Sequence, residues 1–193
     1  IAALVIIDGT PVTRELTASA VDDTNTNSYS FASQNLGTET TDRVMAVIVE
    51  LTGGVATATL DSVSIGGVTA TRAIACGASG GFKEIWYTPR TDQGGPTGSS
   101  GTVAVSATST PACLNCAIEL YAIKGAASAV PSDARADTSA PLSVSLNVPA
   151  AGAAIAGARG AGTPGNATWT GLTEDVDAAV DGGATKSTSA SAE

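Results

Sequence analysis

The side chains able to carry chemistry in this chain are few, and histidine, the commonest of them, is missing: none of the 193 residues is one. Without an imidazole there is no Ser-His-Asp or Cys-His relay, and no side chain whose ordinary pKa lies near neutrality. Acid chemistry would fall to carboxylates. Glu50, Glu84 and Glu119 stand in or beside apolar stretches, and glycoside hydrolysis would need two acids held at a defined separation on facing strands. Their pairing cannot be read from the sequence, and isolated acids on strand faces are more often solvated or paired with arginine. The pair Cys113-Leu114-Asn115-Cys116 has the spacing of a zinc knuckle or a redox motif. A structural zinc takes four ligands, and with Cys76 the only other thiol a carboxylate would have to complete the set. A thioredoxin-type motif opens a helix, whereas 116–123 reads as a strand. The three thiols therefore read as small buried residues, and neither a metal nor a cofactor is expected.

Two further groups invite a ligand. The run Glu174-Asp175-Val176-Asp177-Ala178-Ala179-Val180-Asp181 places hard oxygens at alternate positions, as calcium would need, but lacks the ligand order and closing glutamate of an EF-hand loop. It reads as an acidic strand edge that resists unwanted strand addition. Trp86, Tyr87 and Trp169 are the candidate glycan platform, since aromatic rings stack on the apolar faces of sugars. Trp86 and Tyr87 are neighbours, so on a strand they point to opposite faces, one of them into the core. The Gly-rich stretches 94–98 and 157–162 lack the Lys-Ser/Thr ending and the strand-to-helix setting of a phosphate loop.

The elements that must position these residues are strands. Candidate strands recur at 28–31, 43–51, 82–88, 102–107, 116–123, 142–148, 153–158, 167–170 and 185–192, separated by Gly, Pro, Asn, Asp and Ser. The apolar start 1–7 has neither the basic flank nor the cleavage site of a signal peptide and reads as a first strand. Residues 60–65, Gly66-Gly67 and 68–74 predict a hairpin with a type I′ turn. Val44-Met45-Ala46-Val47-Ile48-Val49 is apolar on both faces and belongs in the middle of a sheet covered above and below. The stretches 91–101 and 126–140 read as long loops. The fold expected is all-β, an antiparallel β-sandwich or jelly roll, with 1–193 forming one domain and 1–9 an extended N-terminal strand or arm. No run approaches the length of a membrane span. Nine Lys and Arg against eighteen Asp and Glu give a net charge of -9, which argues against binding nucleic acid or an anionic membrane.

Three stretches carry a resemblance: Ser28-Tyr29-Ser30-Phe31 through Leu36-Gly37 to Asp42-Arg43-Val44, the hairpin from Val63 to Thr71, and Ala167-Thr168-Trp169-Thr170-Gly171-Leu172-Thr173-Glu174-Asp175. In this order they resemble segments of uncharacterised structural proteins of tailed bacteriophages and prophages. The resemblance implies a β-sandwich on the virion surface, a capsid decoration or accessory protein rather than an enzyme. Its partners would be major capsid or tail proteins and copies of itself, a trimer by analogy with capsid accessories. An extended terminus can add to a neighbour's sheet edge, so Ala3, Leu4, Val5, Ile6 and Ile7 are the candidate intersubunit strand; the alternative is a strand of the chain's own sandwich. Two other readings stand beside this one: a tail or head fibre domain or adhesive module that recognises host glycans, and a bacterial surface or filament subunit.

Overall fold

The computed structural model describes residues 2–6, 11–53, 58–78, 81–137, 148, 150–161, 169–180 and 185–192. These form β1 (Ala2–Ile6), β2 (Thr13–Asp22), β3 (Ser28–Asn35), β4 (Val44–Gly53), β5 (Thr59–Ile65), β6 (Val68–Thr69), β7 (Thr71–Ala78), β8 (Gly81–Tyr87), β9 (Ser100–Thr108), β10 (Cys113–Lys124), β11 (Asp133–Ala136), β12 (Ala153–Ala161), β13 (Thr173–Val180) and β14 (Thr185–Ala192), with a 3-10 turn at Thr91–Gln93. Every strand pairing is antiparallel.

The strands sort into three sheets. A central sheet has the order β2-β10-β4-β8-β7, a hairpin sheet the order β3-β9-β5-β6, and a terminal sheet the order β11-β1-β12-β14-β13. The expected all-β sandwich is therefore present, with a third layer added. β4 explains the stacking. Met45, Val47, Val49 and Leu51 point one way and pack with Tyr29 and Phe31 of β3, Val63 and Ile65 of β5, and Val103 and Val105 of β9. Val44, Ala46 and Ile48 point the other way and pack with Ala153 and Ile155 of β12. A strand apolar on both faces needs a cover on each, and β4 is the middle strand of the middle sheet.

The hairpin forms where Gly66 and Gly67 take φ of 57° and 81°, the two positive values that a type I′ turn demands. Its second arm is shorter than the sequence predicts. After β6 pairs Val68 with Ile65 and Thr69 with Ser64, Ala70 turns inward, 5% exposed, and its N–H donates to Val63 O at 2.9 Å. Residues from Thr71 on then join β8 in the central sheet. Two strands were not anticipated, β2 and β11, the latter inside the expected loop 126–140; β13 falls on the acidic run read as a strand edge, and it ends the order of the terminal sheet. Thr170 lies in a bend and Trp169 just before it, neither in a strand. The expected strand at 142–148 lies outside the described residues except for Val148, and so does 167–168.

Candidate functional site

Neighbouring strands bring side chains at equal height into line, and in the central sheet this lines up charges. Glu50 of β4 stands opposite Lys83 of β8 on one side and Ala117 of β10 on the other. Glu119, two residues beyond Ala117, shares their face. Lys83 Nζ lies 3.4 Å from Glu50 Oε2 and 3.7 Å from Glu119 Oε1. From the terminal sheet above, Arg159 of β12 donates through Nε to Glu50 Oε1 at 3.0 Å. In return Lys83 Nζ donates to the carbonyl of Ala158 at 3.2 Å. The side chains of Glu50, Glu119 and Lys83 are 0%, 2% and 3% exposed. Two acids and two cations thus share one dry pocket of the interlayer contact. Removing ions from water costs several kcal/mol each, on the order of what close pairing returns, so the set is sustained by being matched.

Two glycines make room for it. A Cβ on Gly81 would stand 2.5 Å from the Arg159 guanidinium carbon, and one on Gly157 would stand 2.9 Å from Lys83 Cδ. Each layer lacks a side chain where the other layer's cation inserts. A second polar contact lies farther along β10. The Tyr121 hydroxyl is 3.0 Å from Asp175 Oδ2 and 2.8 Å from Ser189 Oγ. A phenol has one proton; given to the carboxylate, it leaves Ser189 to donate to the phenol oxygen. Ser191 Oγ also donates to Asp175, and Arg14 of β2 donates to the carbonyl of Ser191 at 3.3 Å. Burial, with Asp175 and Glu119 close by, drives the Tyr121 phenol far above its ordinary range. It stays a neutral donor.

The opposite face of the central sheet carries one buried acid among the described residues. Glu84 of β8 accepts from Trp86 Nε1 at 2.8 Å, and Arg72 of β7 lies 3.5 Å from it. Burial raises the Glu84 carboxyl above the usual carboxylate range, against the pull of Trp86 and Arg72. Farther along, Arg43 is fully buried and spends its guanidinium on three carbonyls, those of Leu36, Gly37 and Pro96, at 3.1, 3.2 and 2.7 Å. It pins the loop after the 3-10 turn to the end of β3.

The residues singled out in the sequence are thereby placed. Trp86 and Tyr87 point to opposite faces of β8. Trp86 is 7% exposed and Arg72 lies over its ring at 5.9 Å, so its stacking face is taken within the chain; Tyr87 packs half-buried on the other side. Trp169 belongs to the approach to β13, in a different sheet. Ala3, Leu4, Val5 and Ile6 lie in β1, which pairs on one edge with β11 and on the other with β12. Their main-chain groups pair inside this chain, and Ile7 lies outside the described residues. Cys76, Cys113 and Cys116 are free and buried. The register shift between Cys113 and Asn115 turns both Cys113 and Cys116 toward the hairpin sheet, and burial pushes both thiols up. Among the described residues no group of three or more His, Cys, Asp or Glu is placed to hold a metal ion. Asp175 answers to Tyr121 and Ser191, on an edge strand; Asp181 lies outside the described residues.

Glu50 and Glu119 were visible as candidates, but Lys83 and Arg159 were not. The signal that marks them is a cation within an alternating row of small or apolar residues: Gly81, Lys83, Ile85 on β8, and Ile155, Gly157, Arg159 on β12. No protein-family model matches this chain, and no curated protein or solved structure matches it either.

Proposed function

We propose that this chain is a structural protein of a bacteriophage particle, an accessory that docks in many copies on the assembled capsid. One observation carries the reading: the charged side chains with the most chemical potential, Glu50, Glu119, Lys83 and Arg159, are spent on one another, within the central sheet and across to the terminal sheet. That is the economy of a scaffold. The likeness of the stretches around Tyr29, the Gly66-Gly67 hairpin and Trp169 to phage structural proteins supports the same reading. With β1 engaged in its own sheet, docking would use outer sheet faces and edges. Chief among these is β2, a ten-residue strand whose neighbour among the described strands is β10 alone. Standard contacts of roughly 1,600 Å² suffice when repeated around a symmetric shell.

The test is to purify particles on a density gradient, identify the chain by mass spectrometry and image it in place. A copy number comparable to that of the capsid protein is expected. A few copies at the tail would move the assignment to a fibre, and absence from the particle would overturn it.

A further inference from the structure

The matched charges between the layers hold, within one dry space, an amine, a carboxyl for it to acylate and a second carboxyl able to move a proton. We propose that Lys83 and Glu119 condense into an amide that ties β8 to β10 across β4, with Glu50 relaying the proton. The inference does not rest on the virion reading. It stands on geometry: Lys83 Nζ is 3.7 Å from Glu119 Oε1 and 3.4 Å from Glu50 Oε2, and all three side chains are buried. The Lys83 stem is held under Gly157, where even a Cβ would come within 2.9 Å of it. Reactants fixed at such a separation have surrendered most of the entropy that slows the reaction between free amines and acids.

Arg159 decides which acid reacts. Arg159 Nε donates to Glu50 at 3.0 Å, and a carboxylate paired with a guanidinium is a poor electrophile but a competent base. The ammonium of Lys83 can give up its proton. Passed to Glu119, it leaves a neutral amine and a neutral carboxylic acid, the two forms from which an amide is made. The Nζ lone pair then attacks Cδ of Glu119 and forms the C–N bond. Glu50 Oε2 takes a proton from Nζ and hands it to the departing hydroxyl as the Cδ–O bond breaks. One amine and one acid give one amide and one water; nothing is oxidised or reduced, and Glu50 ends as it began. One positive and one negative charge vanish together, leaving Glu50 matched by Arg159.

The experiment is an intact mass measurement on the purified full chain, reduced and denatured. The expected mass is lower than the sequence mass by one water, about 18 Da, with peptide fragmentation joining Lys83 to Glu119. A mass equal to that of the sequence overturns the proposal, as does a bond mapped to Glu50 or to any other pair. This reading needs no variant. Glu119→Gln changes the leaving group, so its loss should shift from water to ammonia, about 17 Da; loss of water from that variant would overturn the assignment. Glu50→Gln removes the proton carrier and should slow the mass loss at least about 100-fold, the lower end of what a positioned base contributes. An unchanged rate would remove Glu50 from the mechanism.

Discussion

The two faces of the central sheet are held by opposite means. Toward the hairpin sheet the contact is apolar: Met45, Val47, Val49, Leu51, Ile118 and Leu120 meet Phe31, Val63, Ile65, Val103 and Val105. Toward the terminal sheet the apolar patch around Ile48, Ile85 and Ile155 is interrupted by Glu50, Lys83, Glu119 and Arg159 and by Tyr121 with its partners. The strands that supply this second cover are made of small residues, AAIAGARGA in β12 and TKSTSASA in β14. They have little apolar area to bury, at about 25 cal/mol per Å². Directional contacts add to the fit that Gly81 and Gly157 allow. A two-residue slip of β12 would bring Ile155 or Arg159 to where Gly157 leaves room for Lys83 and would carry Arg159 away from Glu50, leaving buried charges unmatched. The apolar face gives cohesion, and the polar face gives register.

The sharpest way to break this contrast is to unbalance the charges. Glu50→Ala leaves Lys83 and Arg159 facing Glu119 alone, and an uncompensated buried charge costs about 3–5 kcal/mol. Urea denaturation should show that loss. Replacing both partners, Glu50→Leu with Arg159→Met, removes one charge of each sign and leaves Lys83 with Glu119. It should cost much less, within about 1–2 kcal/mol of the parent chain. Both variants lack the Glu50 carboxylate, so any effect on cross-linking is common to them. A double variant as unstable as the single one would show that the ions bind the layers rather than merely matching each other.

On the apolar face no such rescue exists. Ile118, fully buried between β10 and the hairpin sheet, loses about 2–4 kcal/mol of stability as Ile118→Ala, through lost transfer energy and the cavity left behind. Ile118→Val should cost about 1 kcal/mol. A graded response by methylene count on this face, against an all-or-none response by charge on the other, is the expected pattern in paired denaturation curves.

The sequence made the apolar face legible and left the polar one hidden. β4 announced two covered faces, since six consecutive apolar residues leave no solvent side, and the Gly66-Gly67 pair announced its turn. What covers each face is a non-local matter. Glu50, Lys83 and Glu119 meet because β10, β4 and β8 adjoin in a register fixed by long-range pairing, which no spacing along the chain encodes. β2 escaped notice because an edge strand half-exposed on both faces shows weak alternation, and its register shifts against β10 near Leu120. β11 spans four residues, too short for a periodic signal. Residues 68–74 looked like one strand because a switch between sheets at Ala70 preserves the apolar and polar pattern on both sides of it.

A smaller effect is expected at the second polar contact. Tyr121→Phe keeps the ring among Ile48, Ile123 and their neighbours but removes the hydroxyl that joins Asp175 to Ser189. The cost should be about 1–2 kcal/mol, the lost hydrogen bonds and the partners left unmet. Hydrogen exchange in β13 and β14 should rise with it, while exchange in β5 and β9 on the opposite face stays unchanged.

The smallest effect tests the buried acid on the apolar face. Glu84 carries a carboxyl whose pKa burial has raised, so in the folded chain it holds its proton to a higher pH than when unfolded. Between the ordinary value of about 4.3 and the raised one, the native state binds more protons than the unfolded state, and stability falls as pH rises. Below that window the cost is absent; above it the full cost remains. Glu84→Gln keeps an oxygen for Trp86 Nε1 and removes the charge, giving up a pair with the half-exposed Arg72 that is worth little. The variant should equal or exceed the parent chain at pH 7, by less than about 1 kcal/mol, with the difference vanishing on acidification toward the ordinary carboxylate range. The same exchange at Glu50 should destabilise at pH 7, because there the charge is matched by Arg159. Two Glu→Gln substitutions of opposite sign, on strands that adjoin in one sheet, would separate the two faces more cleanly than any measure of buried area.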